Sequence, residues 1–325
     1  MLKKALIIGS GSIGRRHAEN IHKLYPDIEF LLLRRTASHS SLAKDLDAGV
    51  VGSMEVALSW APDFAIVSSP SSKHFQDLIP LLEKGIPFYV EKPVVTNREE
   101  LDQLKAIQVT GCPISMSGCN LRFLPSLRVL RELIQDGVIG NVVRASLQAG
   151  QWLPDWRPQQ DYRKSYSADP VLGGGVLFDL VHELDIARFL FGEFSRVLAF
   201  AGKYSSLDIV TEDTACVILQ AEHCNMLVSV NLDYVSRLPR RTYEIVGDKG
   251  SLCWDLQANK LELSRPQGCE LIACGENAFN VSNTYIAAMK EFLEAVGHGV
   301  DTSQNLSEGI RSAELVINAR EAAGL

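Results

Sequence analysis

Three groups of residues in this 325-residue chain have types and spacings that could do chemistry. Gly9-Ser10-Gly11-Ser12-Ile13-Gly14 is a GxGxxG run that follows an apolar segment and opens a helical pattern. In that setting Gly9 permits a tight turn, Gly11 lets the backbone approach a pyrophosphate, and Gly14 allows close helix–strand packing. Ser12 and Ile13 begin a helix whose free N–H groups and positive dipole attract phosphate. A purely structural glycine turn is the alternative, and the strand and helix on either side argue against it. Asp179, His182 and Asp185 recur every third residue after Gly173-Gly174-Gly175. On one helix they would step by about 60° and form an inclined row. Their neighbours Val176, Leu177, Phe178, Leu180, Val181 and Leu184 are apolar, so the row is expected to be buried and to need partners or a cavity. A histidine between two carboxylates is a candidate general acid or base, whereas a lone one is more often a satisfied core residue. His182 is read as proton acceptor and Asp179 as substrate-binding, while Asp185 either orients the imidazole or holds a core contact. Lys92, in Glu91-Lys92-Pro93, follows an apolar run at what would be the carboxyl edge of a sheet. It can hydrogen-bond a reacting hydroxyl there, or be a surface lysine before a turn proline.

The elements that must hold these groups fall into two textures. Over the first 120 residues, apolar runs at 5–8, 29–33, 64–68, 87–90 and 114–117 alternate with helical patterns, as in a βαβ succession. Thr96 and Glu99 are expected to form the capping box of the helix running toward Gln108. The runs are continuously apolar, which suits parallel strands covered on both faces. Beyond residue 120 come a helix at 125–136, a strand at 142–148 and a polar, aromatic stretch at 152–170. A helix starting near Gly175 precedes strand-like runs at 196–201, 215–220, 226–232, 242–246, 251–254 and 260–263. Strands in direct succession imply a mostly antiparallel sheet; helices near 283–296 and 307–323 follow. The expected class is α/β. Residues 1–120 form a Rossmann dinucleotide-binding domain, and 121–325 an α+β domain with a large antiparallel sheet for substrate binding and oligomerisation.

Composition narrows the function. The length exceeds what one core usually supports. A formal charge of −7 speaks against a broad nucleic-acid footprint. No apolar run is long enough to span a bilayer, and the N-terminus runs straight into a strand, so a cytoplasmic location is expected. The seven cysteines lie at 112, 119, 216, 224, 253, 269 and 274. None has CxxC spacing, so no metal site is expected, and they read as reduced, mostly buried thiols.

The second strand ends in Leu33-Arg34-Arg35-Thr36, where an NAD-preferring loop usually offers a carboxylate. Two guanidiniums there favour a 2′-phosphate, hence NADP over NAD, unless both are a solvated strand end. On the substrate side, Trp156, Tyr162 and Arg163 stand out within a stretch rich in aromatics, arginines and hydroxyls. That set suits stacking on a pyranose ring and bonding its hydroxyls or a carboxylate. A long exposed loop or an oligomer contact is the alternative.

The glycine loop, Ser69-Pro70 with His74, Glu91-Lys92-Pro93, and the triple glycine with Asp179, His182 and Asp185 together resemble the glucose–fructose oxidoreductase / inositol dehydrogenase (Gfo/Idh/MocA) family. Asn120-Leu121-Arg122-Phe123 and Asn283-Thr284-Tyr285 fit the same resemblance, which runs over essentially the whole chain. It departs in one place, since many members have three residues between the aspartate and the histidine where this chain has Leu180 and Val181. The resemblance implies an NAD(P)-dependent oxidoreductase acting on a CH–OH group of a sugar, sugar derivative or polyol. It implies that Lys92 is catalytic, often beside a cis proline bond, and that Ser69, Pro70, His74, Glu91 and Asn120 join the cofactor site. Arg122 is expected to meet substrate. Relatives are commonly homodimers or homotetramers, and the wording of 152–179 is similar to a subgroup tied to bacterial surface sugars. Two other activities fit the fold: a glycosidase-like enzyme that keeps its NAD, and a non-catalytic dinucleotide sensor.

Overall fold

The computed structural model describes residues 2–35, 41–108, 111–223, 225–272 and 275–325; Thr36, Cys224 and Cys274 lie outside them. The first strands and helices alternate: β1 (Lys4–Ile8), α1 (Ser12–Leu24), β2 (Glu29–Leu33), α2 (Ser41–Asp45), β3 (Gly49–Val51), α3 (Met54–Ser59), β4 (Phe64–Val67), α4 (His74–Lys84), β5 (Phe88–Val90), α5 (Arg98–Gln108) and β6 (Ser115–Ser117). Then come α6 (Pro125–Gln135), β7 (Val142–Gly150), α7 (Leu153–Trp156), α8 (Val176–Asp179), α9 (Val181–Phe191), β8 (Phe194–Gly202), β9 (Thr214–Ala221), β10 (Leu227–Asp233), β11 (Arg240–Gly247), β12 (Ser251–Asp255), β13 (Lys260–Arg265) and β14 (Gly268–Leu271). Helices α10 (Val281–His298) and α11 (Leu306–Ala322) end the chain.

These elements divide into two compact units, Met1–Asn120 with Tyr285–Ala313, and Leu121–Thr284 with Glu314–Leu325. In the first, six strands pair in the order β3-β2-β1-β4-β5-β6, all parallel. Ala5, Leu6, Ile7, Phe64, Ala65, Ile66 and Val67 are fully buried, which explains why their runs carry no polar alternation. Each large side chain so buried stabilises the fold by about 1.5–3 kcal/mol. Residues 285–313 join this unit, unlike the continuous second domain expected from the sequence. Phe292 of α10 packs edge-on against Phe64 and Tyr89, at 5.8 and 6.0 Å between ring centres. Farther on, the Thr302 hydroxyl donates to the Ser115 carbonyl at 2.6 Å, and the Ser117 N–H donates to the Gln304 carbonyl at 2.7 Å.

In the second unit eight strands run β14-β13-β12-β11-β7-β10-β9-β8. Only the β7–β10 pairing is parallel. Alternation is clear here: in β9, Ala215, Val217 and Leu219 are buried while Cys216 and Gln220 face outward. Tyr243 stacks on Trp254, with 4.6 Å between ring centres, and the indole N–H reaches the Ser126 hydroxyl at 3.0 Å. A large aromatic core with its polar atoms satisfied is the economical way to anchor α6 to this unit.

Two local expectations are corrected. Helix α5 is capped by Asn97, whose side-chain oxygen accepts the Glu100 N–H at 2.9 Å, rather than by Thr96. Cys216, Cys253 and Cys269 are exposed thiols on strands of a half-covered sheet, and Cys119 is buried. Among the described residues no helix is long and apolar enough to cross a membrane, and no His/Cys/Asp/Glu group could hold a metal ion.

Candidate active site

In the first unit the glycine loop turns from β1 into α1. Gly9 has φ of +91°, and a Cβ there would collide with the Ser68–Ser69 backbone. A Cβ on Gly14 would collide with the Gly9 carbonyl, so strand and helix approach as closely as backbones can. Above Gly11 there is open space. Gly11 is also the N-cap of the 13-residue α1, and no side chain caps that end. The first N–H groups of the helix, from Ser12 and Ile13 onward, are thus left to an anion. The loop fits the pyrophosphate of a nicotinamide dinucleotide.

Around that loop the carboxyl ends of the strands are tied together. Asp77, fully buried on α4, accepts the Ser69 hydroxyl at 2.6 Å and the Arg35 guanidinium at 2.5 Å. Arg35 is therefore anchored at the end of β2 while its side chain stays partly exposed; the Arg34 N–H pairs with the Val51 carbonyl. His74 is buried between two carbonyl oxygens, with Nδ1 2.8 Å from Pro93 O and Nε2 2.9 Å from Ser69 O. Burial holds its imidazole below the usual histidine range, against the pull of those carbonyls and of Glu91 and Asp77. The Lys92–Pro93 bond that follows β5 is cis. Glu91 is buried, with one oxygen 2.6 Å from His17 Nε2 and the other accepting the Lys92 backbone N–H at 3.3 Å. Burial alone would raise the Glu91 carboxyl, but the His17 hydrogen bond and charge, with Lys92 and His74, bring it below the usual value. Asn120, nearly fully buried, ends this unit.

In the second unit the expected single helix after Gly175 is broken. α8 stops at Asp179, Leu180 adopts φ −97° and ψ 31°, and α9 restarts at Val181. Asp179 and His182 consequently sit on different helices, and only His182 and Asp185 keep the three-residue spacing on one. Gly175 has φ of +117°, and its missing Cβ leaves room for the Glu212 carboxylate. That carboxylate accepts the Leu177 N–H at 3.4 Å and pairs with Arg320 at 2.6 Å, closing the start of α8. Burial raises the Glu212 carboxyl despite Arg320.

Asp179 is nearly buried and accepts the Tyr234 hydroxyl at 2.7 Å. Burial, and then the neighbouring Asp179 charge, push the Tyr234 phenol well above its usual range, so it remains a donor. His182 is half-buried. Of the two alternatives for Asp185, the structure places it in a core contact. Both its oxygens face Arg122, which forks onto them at 2.9 and 2.6 Å. Arg122, also beneath the Phe189 ring, is a buried partner of α9.

The aromatic stretch forms α7 and a series of short 3-10 turns. Trp156 stands edge-on to Tyr234, 5.3 Å between ring centres, so it is one ring away from Asp179. Trp156 and Tyr162 line one small, solvent-open cleft. Arg163 does not. Its guanidinium forks back onto Asp161 at 2.8 Å for each bond, because a two-residue turn brings the pair together.

Sequence reasoning missed His17, Asp77, Glu212, Tyr234 and Glu183, the last fully buried with its carboxylate 2.7 Å from Arg241 and 3.1 Å from the Tyr243 hydroxyl. His17 left one signal: it shares a helical face with the buried Gly14, Ala18 and Ile21.

Two family models match: an oxidoreductase family, NAD-binding Rossmann fold, over residues 3–113, and the Gfo/Idh/MocA C-terminal domain over residues 127–253. The chain belongs to the Gfo/Idh/MocA oxidoreductase family. An uncharacterized oxidoreductase of Streptococcus pneumoniae is 28% identical over 60% of this chain and 52% of its own length, so the match spans about half of that relative. The inositol 2-dehydrogenase of Rhizobium meliloti is 25% identical over 95% of this chain and 93% of its own. Among solved structures, levoglucosan dehydrogenase in complex with NADH and levoglucosan superposes with a TM-score of 0.85 at 18% identity. It covers 99% of this chain and 97% of its own, which establishes the shared fold.

Proposed function

We propose that this Gfo/Idh/MocA family member is a cytoplasmic NAD(P)-dependent oxidoreductase that acts on a CH–OH group of a sugar, sugar derivative or polyol. The observation that carries this reading is an uncapped helix end above Gly11, in the same unit as the Glu91-Lys92-Pro93 strand end. A bound nicotinamide dinucleotide supplies the hydride acceptor or donor. The loop N–H groups from Gly9 to Gly14 hold its pyrophosphate, with Ser69, Pro70, His74, Glu91 and Asn120 around it. Arg34 and the Asp77-anchored Arg35 take a 2′-phosphate, which favours NADP.

The protein's own part is proton handling and orientation. Lys92 hydrogen-bonds the reacting hydroxyl, His182 accepts its proton, and Asp179 orients the substrate with its charge held in place by Tyr234. Trp156 and Tyr162 offer apolar faces to a sugar ring. The chain works as a homodimer or homotetramer; the exposed Leu198 and Phe200, adjacent on one face of β8, suit such an interface.

A panel of sugars, polyols and nucleotide-sugars with NADP+ or NAD+, followed by reduced-nicotinamide absorbance, tests the reading. Saturable turnover that Lys92→Met abolishes, and that His182→Asn or Asp179→Asn lowers about 100-fold, is expected. Cofactor that stays bound without net reduction while a glycoside is cleaved would replace it with the glycosidase-like cycle.

A further inference from the structure

Asp179 ends α8, a helix of four residues, and the break at Leu180 separates it from α9. So short a helix has no stability of its own, and α9 cannot hold it in register across the break. Three consecutive buried residues, Thr211, Glu212 and Asp213, supply the hold. Glu212 meets the start of α8 twice: its carbonyl accepts the Val176 N–H at 3.0 Å and its carboxylate the Leu177 N–H at 3.4 Å. One turn on, the Asp179 N–H donates to the Gly175 carbonyl at 3.0 Å. The Thr211 hydroxyl and the Gly175 N–H share the Ser167 carbonyl, at 2.8 and 3.1 Å. Next in the chain, the Asp213 carbonyl accepts the Tyr234 N–H at 2.9 Å. One segment therefore grips both partners of the 2.7 Å Tyr234–Asp179 hydrogen bond.

Arg320 of α11 completes the clamp. It pairs with Glu212 Oε1 at 2.6 Å, and its guanidinium lies over the ring of Phe178, 4.7 Å from the centre. The same arginine thus fixes the carboxylate at the start of α8 and the side chain next to Asp179. Stability alone would be served as well by an apolar pair of similar volume, which buries no charge. Here Gly175 adopts φ +117° and lacks the Cβ that would exclude the carboxylate.

We infer that Glu212 and Arg320 are positioning residues for the reaction, fixing α8 so that Asp179 stays against Tyr234 in the orientation the substrate meets. The inference rests on the proposed oxidoreductase reading, in which Asp179 orients the substrate.

Crystal structures of the full chain as wild type, Arg320→Ala and Arg320→Lys test it, beside kinetics measured well below each melting temperature. The kinetics use NADP+ and the best-used member of the sugar, polyol and nucleotide-sugar panel. In Arg320→Ala the Tyr234–Asp179 separation is expected to lengthen from 2.7 Å to more than about 3.5 Å. Its kcat should fall about tenfold with KM nearly unchanged, and Arg320→Lys should restore both. In an Asp179→Asn background, Arg320→Ala should cost nothing further, because the group it acts through is already altered. Where Arg320→Ala does not fold, Glu212→Gln/Arg320→Met, which leaves no buried charge, takes its place. An unchanged separation, or a full further loss in the Asp179→Asn background, overturns the inference. A lengthened separation with unchanged kcat overturns it as well, and with it the role given to Asp179. A wild type that turns over no member of the panel fails the oxidoreductase reading instead, and the crystallographic separation then decides by itself whether the clamp holds Asp179.

Discussion

His17 Nε2 lies 2.6 Å from Glu91 Oε1, joining the helix that follows the glycine loop to the strand end that carries Lys92. Both side chains are out of water, His17 completely. Gly118 makes the space, since a Cβ there would press on the Glu91 carboxylate. Replacing His17 with Ala leaves a buried carboxylate without its main partner. A loss of about 3–5 kcal/mol in denaturant unfolding is expected, with His17→Gln losing less.

The same pair gives a pH dependence. The Glu91 carboxyl is lower in the folded chain than the usual value, so its contribution is present above that ordinary value of about 4.3 and is lost as pH falls through the folded one. Unfolding free energies measured from pH 7 downward in wild type and Glu91→Gln should differ most near neutrality and converge below about pH 4. A gap that widened on acidification would contradict the assignment.

Two glycines should respond oppositely to alanine. Gly175→Ala forces a Cβ into the Glu212 carboxylate at φ +117°, and a drop in melting temperature or loss of soluble protein is expected. Gly11 has an ordinary φ of −70° and open space at its Cβ position. Gly11→Ala should fold normally and weaken dinucleotide binding, as measured by cofactor fluorescence beside thermal unfolding.

Arg122 and Asp185 form a buried fork whose partners cannot be removed singly at low cost. Asp185→Ala should destabilise by about 3–5 kcal/mol, while the double exchange Arg122→Met/Asp185→Leu should cost much less. If Arg122 instead contacted substrate, the double variant would keep its stability and lose KM selectively.

Tyr234→Phe removes the 2.7 Å bond to Asp179 without changing ring packing against Trp156. A stability loss of about 1 kcal/mol is expected. Because Asp179 is less fixed without this bond, kcat should fall more than KM rises.

How much of this was legible in the sequence depends on the range of each interaction. The glycine loop and its strand and helix could be read because φ, backbone approach and helix end are local demands, and β1, β2, β4 and β5 because burial on both faces leaves a continuous apolar run. The role of 285–313 was not legible, because Phe292 meets Phe64 and Tyr89 across some two hundred residues. The row of Asp179, His182 and Asp185 failed as one helix at Leu180, an apolar residue that carries no breaker signal. The forks of Asp185 onto Arg122 and of Asp161 onto Arg163 were not legible either, because they depend on side-chain geometry that residue spacing does not specify.

The nicotinamide site is tested most directly by titrating the purified protein with NADPH and NADH, following fluorescence, beside an Arg34→Ala/Arg35→Ala double variant. Tight NADPH binding that the double variant loses is the expected result, with NADH weaker and little affected. Binding of neither nucleotide, with none co-purifying, would contradict it.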